Sequence, residues 1–568
     1  MRKYLHTIIL CAAFVSTLLV RGQSSDALTY LDVEYMEIVQ EEIDKNNRYF
    51  TNALRVILEN VNRNINRPPN PVTNKTQVPP SGDMQDYLSI APYLWPDPSK
   101  SDGLPWIGRD GEINPTTRGD NTDIVRAGKM RGDVEDLGIA LYYYDEDRYA
   151  ERIKELLNVW FIDPETRMNP NLNYAQSHPG KNDGNWFGII EWGRINQVIS
   201  TIEIMELKNR FTPSEINAIK AWFAEYLNWL ETSSFGNIAS NRTNNHAVWY
   251  YRNVMGINMF LGNDEKAKSY IEDVKNKLIK VQIEPDGSMP RELARTNSVD
   301  YTATNIEGFL DIAKMAEKLG VDLYGYTTDD GRSIRKTIDF LKPYLNGEKT
   351  WQWQNIKYET IQKAFEGEIY PLLSRASRMF NTQIMPVEFG AEKTIGNFEK
   401  LIYPPLSFPQ VYEDGPPEGY VFAASERGTV VVTGTVDIAY GANGVYYFLY
   451  NQSADVTCDS ATFGGDPIRG TVKSCYVKSS NLSLEDELLA NRASLSIYPN
   501  PARGSFTVQV NNTQAAHVNI YDVTGLKVYS SDMTGNEVTI DRTFNSGIYL
   551  IQTITSDDKA ITKKLIVR

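Results

Sequence analysis

Histidine is nearly missing from this chain, with four in 568 residues, and cysteine is scarcer still, with three. A zinc centre draws three or four nitrogen or sulfur ligands together, so this composition argues against one. It also narrows any histidine chemistry: His6 lies in the N-terminal apolar run and His517 in the last β-patterned stretch, which leaves His178 and His246. There is no glycine loop ending in GK[ST], no HExxH and no GxSxG. The signatures of phosphate-cradling nucleotide binders, helical zinc peptidases and nucleophile-elbow hydrolases are therefore missing. Positive charge is short, Lys+Arg 58 against Asp+Glu 72, for a net charge of −14. Such a chain is a poor general nucleic-acid binder, although a locally basic site can still hold a polyanion. Carboxylates are too numerous for counting to exclude a glycosidase pair. No apolar run after residue 22 is long enough to span a bilayer, and no solenoid repeat is present.

What is present is an ordinary globular balance, 41% hydrophobic and 23% charged, over a length that calls for several domains. Arg2 and Lys3, an apolar run from Thr7 to Val20, and Gly22 before Gln23 read as a secretory signal over residues 1–22. Cys11 leaves with it. Cys458 and Cys475 remain as an even pair in an oxidising compartment, so a disulfide is expected.

The helical period holds from residue 28 to about 382, over 30–64, 133–144, 149–161, 188–207, 213–232, 244–261, 264–279, 305–319 and 333–345. Thr212, Pro213 and Glu215 spell a capped helix start. Prolines crowd 394–420, after which the period becomes two, with Gly441-Ala442-Asn443-Gly444 as a turn. A third region, from about 493, alternates short strands with Gly, Asn and Asp turns. The expected architecture is an all-α (α/α) toroid or incomplete barrel over 23–395, a linker and small β domain over 396–482, and a second small β sandwich over 493–568.

Four segments concentrate groups suited to chemistry. Asn244, Asn245 and His246, with Trp249 and Tyr250 behind them, stand where a helix begins. The plain alternative is a capping asparagine and a partly buried histidine. Residues 285–301 present Arg291, Arg295 and Tyr301 in quick succession. A guanidinium grips a carboxylate with two hydrogen bonds, and a nearby cation eases ionisation of a phenol, so this set suits an anionic sugar. Surface ion pairing to Glu292 and Asp300 is its alternative. Tyr93, Trp95 and Trp106, among prolines and glycines, suit a wall for stacking sugar rings, or a core beneath a loop. Gln176 and His178 lie in a polar loop that either bonds hydroxyl groups or is plain surface.

Residues 91–98, 103–106, 162–180, Asn244-Asn245-His246 and 285–301 occur in the order expected of the alginate lyase superfamily, which the chain resembles over about 28–345. The resemblance implies an (α/α) toroid and β-elimination on a uronic acid polymer, alginate or a related polyuronate, without cofactor or metal. It assigns Asn245 and Arg295 to neutralising the substrate carboxylate, and His246 and Tyr301 to moving protons. The spacing from Arg295 to Tyr301 is one residue shorter than in the classical bacterial members, which keeps Arg291 as an alternative and leaves polyglucuronate open as a substrate. Residues 498–501, 504–506, 521–525, 546–549 and 563–567 resemble the type IX secretion sorting domain. That implies the type IX machinery as a partner, and release or attachment at the cell surface. The middle β region resembles a small module appended to secreted polysaccharide-degrading enzymes.

Overall fold

The structure, a computed structural model, describes residues 28–381, 396–412, 416–417, 419–479 and, in the tail, 494–498, 502, 504–511, 515–522, 526–533, 535–555 and 560–567. The expected signal lies outside the described residues. The chain divides into two compact units. One holds Met1–Thr429, Ala439–Phe448 and Thr457–Tyr476, and the other Val430–Ile438, Leu449–Val456 and Val477–Arg568.

The helices begin where the sequence supplies caps. Thr212 opens Pro213–Thr232 with a full capping box: its hydroxyl accepts from the Glu215 N–H at 3.3 Å, and the Glu215 carboxylate accepts from the Thr212 N–H at 2.7 Å. The stretch expected as helical over 30–64 is two helices, Val33–Asp44 and Arg48–Asn64. Asn46 turns left-handed between them, with φ 57°, and the Asn47 side chain caps the second. Asparagine tolerates that backbone better than most side chains. The stretch 188–207 likewise divides into a 3₁₀ segment, Trp186–Trp192, and the helix Asn196–Leu207.

Two helices organise the core. Ile124–Tyr144 packs on Asn196–Leu207 and Asp147–Leu157, and Asn245–Phe260 packs on Ser298–Lys318 and Asp264–Asp273. Asn245–Phe260 is buried at nearly every position, the mark of a helix with no solvent face. Arg252 and Asn253 tie it to its neighbours. Arg252 Nε donates to Asp311 at 2.5 Å and its Nη1 to the Gly193 carbonyl at 2.6 Å, while Asn253 Nδ2 donates to the Trp192 carbonyl at 3.1 Å. Arg375 also bonds Asp311, and Arg194 meets Glu307 with two hydrogen bonds of 3.0 and 2.9 Å. An unpaired charge as buried as Arg252 or Asp311 costs several kcal/mol, so their pairing ties the two helices that carry them.

Past residue 403 the period becomes two. Gln410–Val411, Val445–Gln452, Val436–Ala442, Ser474–Ser479 and Val421–Ser425 form a five-stranded sheet in that order. Asn443 and Gly444 both take positive φ, 50° and 79°, as a two-residue hairpin turn requires. Thr429–Val430 is a further, two-residue strand. Cys458 and Cys475 form a disulfide, and the rings of Tyr440 and Phe463 stack at 5.0 Å. In the tail, Ser494–Tyr498, Phe506–Asn511 and Glu537–Ile540 make one antiparallel sheet. Lys527–Asp532, Ala515–Asp522, Gly547–Thr555 and Ala560–Val567 make another, and both sheets feed one apolar cluster around Phe506, Val508, Ile520, Ile551 and Leu565.

The disulfide spans a sequence separation of 17, a loop whose closure stabilises a fold by about 3 kcal/mol. Replacing both cysteines by alanine should accelerate limited proteolysis within 420–479 and leave the helical region resistant. Equal protection of the two regions would show that the bridge adds nothing.

Candidate active site

Short ladders and helix starts converge on a cavity of about 570 Å³. Leu88–Ile90 runs parallel to Tyr174–Ser177, and Leu94–Trp95 pairs with Ile107–Gly108. These pairings bring Tyr93, Asp110 and Gln176 to the cavity wall. The first turns of Asn245–Phe260 and Ser298–Lys318 supply Asn245, His246 and Tyr301, and Arg295 comes from the turn before the second helix. Helix starts carry unpaired N–H groups and the positive end of the dipole, both of which favour an anion.

Asn244 makes no side-chain cap for the Asn245–Phe260 helix. The cap comes instead from a distant segment. The buried carboxylate of Glu292 accepts from the Asn245 backbone N–H at 2.8 Å and from its Nδ2 at 2.6 Å. Burial raises the Glu292 pKa, and the two Asn245 bonds oppose that rise. The pairing orients the Asn245 carboxamide at the cavity wall, and its Oδ1 has no protein partner among the described residues.

Tyr301 is the centre of the polar cluster. Its hydroxyl accepts from Arg295 Nη2 at 2.8 Å and lies 3.1 Å from the Tyr93 hydroxyl, while the guanidinium covers its ring at 3.8 Å. Burial raises the Tyr301 pKa, Tyr93 adds to the rise, and Arg295 lowers it by less than the others raise it. Tyr301 is therefore a protonated phenol at rest. Arg295 is held in turn by Asp110, which also accepts from the Thr296 hydroxyl at 3.0 Å. Burial works against the Arg295 charge, but Asp110 and Tyr301 hold its pKa above the ordinary value.

His246 packs edge-on against Trp186 at 5.2 Å and near Phe187 at 6.4 Å. Burial first, then the charges of Arg295 and Arg242, depress its pKa to about 4. At neutral pH it is an uncharged imidazole able to take a proton. At neutral pH the two groups rest in complementary states, a protonated phenol and an uncharged imidazole, the forms that an acid and a base require.

The other expected site residues fall in different places. Gln176 lines the cavity with a left-handed backbone, φ 48°; its N–H donates to Ser89 Oγ at 2.7 Å, and that hydroxyl donates to Glu191 at 2.5 Å. Trp95, Trp106 and His178 brace the loops behind. Trp95 Nε1 donates to the Glu112 carbonyl at 3.1 Å, and His178 Nε2 meets the Trp106 carbonyl at 2.7 Å. Trp249 and Tyr250, expected at the substrate, belong to the core. Both are buried, Arg252 lies over the Trp249 ring at 4.7 Å, and the Tyr250 hydroxyl bonds the Leu230 carbonyl at 3.3 Å. One helical turn past His246, side chains at these positions meet neighbouring helices. Arg291 is exposed, whereas Arg295 stands in the wall. The surface pairing expected of Glu292 and Asp300 does not form with the arginines: Glu292 is buried on Asn245, and Asp300 pairs with Lys357 at 2.7 Å. Glu292 and Asp110 are the residues that sequence reasoning left unassigned, since no local pattern marks a partner 47 or 185 residues away.

Comparison with known proteins bears on this arrangement. Residues 71–351 match the alginate lyase family, and residues 496–568 match the secretion system C-terminal sorting domain. A crystal structure of an alginate lyase from Bacteroides ovatus superposes with a TM-score of 0.61 at 35% identity, over 66% of this chain and 99% of that one. The chain belongs to the alginate lyase family.

Its curated relatives match over less. An ulvan lyase of Nonlabens ulvanivorans is 27% identical over 141 residues, 24% of this chain and 25% of that protein. An endo-acting ulvan lyase of Formosa agariphila is 34% identical over 124 residues, 21% and 23% of the two. The match thus spans about a quarter of the length of each. Tyr93, Gln176, Asn245, His246, Arg295 and Tyr301 all fall within the alginate lyase match. The sorting domain marks the protein for secretion or cell-surface attachment, and no helix among the described residues is long and apolar enough to cross a membrane.

Glu292→Ala should leave the Asn245 N–H unsatisfied and lower stability by about 1–3 kcal/mol in denaturant titration, with Glu292→Gln intermediate because one acceptor oxygen survives. A Glu292→Ala protein as stable as its parent would remove Glu292 as the cap.

Proposed function

We propose that this protein is a secreted polysaccharide lyase that cleaves a uronic acid polymer, alginate first, by β-elimination on an (α/α) toroid formed within residues 23–395. The observation that carries the reading is the gathering of Asn245, His246, Arg295 and Tyr301 in the wall of one cavity, with Arg295 bonded to the Tyr301 hydroxyl. We also assign residues 396–482 to an accessory β module and 493–568 to a sorting tail read by the type IX machinery.

The carboxylate of a uronate unit docks on Arg295 and on the second N–H of the Asn245 carboxamide, displacing part of Asp110's hold on the guanidinium. Its C5 proton is only weakly acidic, and charge spreads onto the carboxylate as that proton leaves; fixed donors stabilise the enolate-like state. The docked anion offsets the Arg295 charge, one of the causes depressing His246, and so strengthens the imidazole as a base. His246 takes the C5 proton. The C–H electron pair becomes the C4–C5 double bond, the C4–O4 bond breaks, and Tyr301 protonates the leaving oxygen. The products are an unsaturated uronate end and a free hydroxyl, and a proton returned from His246 to Tyr301 through solvent resets the site. Support for alginate comes from the family match and the near-complete coverage of the Bacteroides ovatus enzyme. The two shorter matches put ulvan forward as a second polymer.

Purified protein should produce the ultraviolet absorbance of a conjugated uronate with alginate, polymannuronate, polyguluronate, polyglucuronate or ulvan. Tyr301→Phe should reduce that rate by about 10²–10⁴-fold. New reducing ends without absorbance would identify a hydrolase instead. Because the base must be unprotonated, kcat/KM should hold constant from pH 8 down to about 5 and fall only as pH approaches about 4, the depressed His246 value. An acidic limb centred near ~6.5, the ordinary imidazole value, would exclude His246 as buried here from that role.

A further inference from the structure

We propose that a second cavity, walled by Arg48, Lys400 and Arg469, is a non-catalytic subsite for an anionic sugar unit of the polymer that the first cavity cleaves. The proposal rests on the reading of the chain as a polyuronate lyase. The cavity encloses about 350 Å³. Its cations come from three separate segments. Arg48 opens the helix Arg48–Asn64, Lys400 lies on the helix Asn397–Ile402, and Arg469 belongs to the loop between the disulfide cysteines. One carboxylate, Asp466, shares the wall, and Lys473 pairs with it at 3.0 Å. Positive side chains thus gather around a concave space on a chain whose net charge is −14, the local reversal of sign that a polyanion needs.

The wall is built rather than loose. Asn47 Nδ2 donates to Glu42 at 2.8 Å and to the Pro409 carbonyl at 2.6 Å. Gln410 and Val411 pair with Tyr446 and Val445, so Pro409 and Val445 are held against the helix start. The Lys400 ammonium lies 4.5 Å from the centre of the Tyr49 ring, a cation–π contact that keeps both in the wall. Pro467 and Ile468 add apolar surface beside the guanidinium of Arg469. A pyranose with a carboxylate presents that combination in reverse, a C–H face for the apolar wall and an anion for the guanidinium. None of these residues lines the first cavity. A polymer held at a second point stays at high effective concentration near the first, an advantage that short oligosaccharides cannot share.

The test uses the full chain with Arg48→Glu and Arg469→Glu, reversals at exposed side chains. Binding is read without turnover, in a Tyr301→Phe background, by retardation in gels containing alginate, ulvan or a neutral glucan. The double reversal should weaken retention by the anionic polymer that binds best by at least about fivefold, as loss of two charge-assisted contacts implies. Arg48→Lys with Arg469→Lys should retain most of it. With Tyr301 present, kcat/KM should fall by a similar factor on polymer and stay unchanged on a tetrasaccharide. Unchanged retention in a folded double variant overturns the subsite, as does equal retention by the neutral glucan or an equal loss on the tetrasaccharide. If the double variant does not fold, each single reversal carries the same comparison. Should no polymer yield an unsaturated product, the lyase reading falls, and the binding arm alone still upholds or overturns the subsite.

Discussion

The helix Asn245–Phe260 is enclosed on nearly all sides yet has no cap of its own, so the position of its first turn depends on the carboxylate of Glu292. Two hydrogen bonds from one buried carboxylate set both the backbone start and the carboxamide of Asn245. His246 follows by one residue and inherits its place. The same short segment, 292–301, carries Arg295 and Tyr301 to the opposite partners of the cluster. One long-range contact therefore sets the register of two helix starts against each other, and with it the spacing of every proposed catalytic group.

The electrostatics of the cavity are more balanced than an anion site needs at first sight. Asp110 holds Arg295, so the guanidinium is paired within the protein. The pairing keeps a half-buried charge from being stranded and holds it against Tyr301. In the proposed reaction a substrate carboxylate would exchange one anionic partner for another, which costs less than desolvating a free arginine. Deeper in, Arg252, Arg375 and Asp311 repeat the logic for stability: each buried charge has its counter-charge on a different helix, so the helices cannot slide without separating an ion pair.

Local chemistry made much of this legible in advance. Thr212-Pro213-Ser214-Glu215 contains a complete helix start, and Asn443-Gly444 a complete hairpin turn, because both devices close within four residues. The alternating tail and the cysteine pair were equally plain. The ordered motifs around Tyr93, Asn245, His246, Arg295 and Tyr301 named the residues that the structure gathers at one cavity. Periodicity was less able to place a break such as Asn46, where a single residue's backbone decides whether a helix continues.

Composition, period and capping residues by themselves determined a helix-rich region followed by β-rich regions, a disulfide in the middle of those, and a short set of chemically suited side chains. Only the tertiary structure decided which of them meet. Trp249 and Tyr250 pass into the core because the helix that bears them is surrounded, while Glu292 and Asp110 join the site through contacts 47 and 185 residues long. Such partners leave no periodic trace, since the energy of a buried hydrogen bond depends on separation in space and not on separation along the chain.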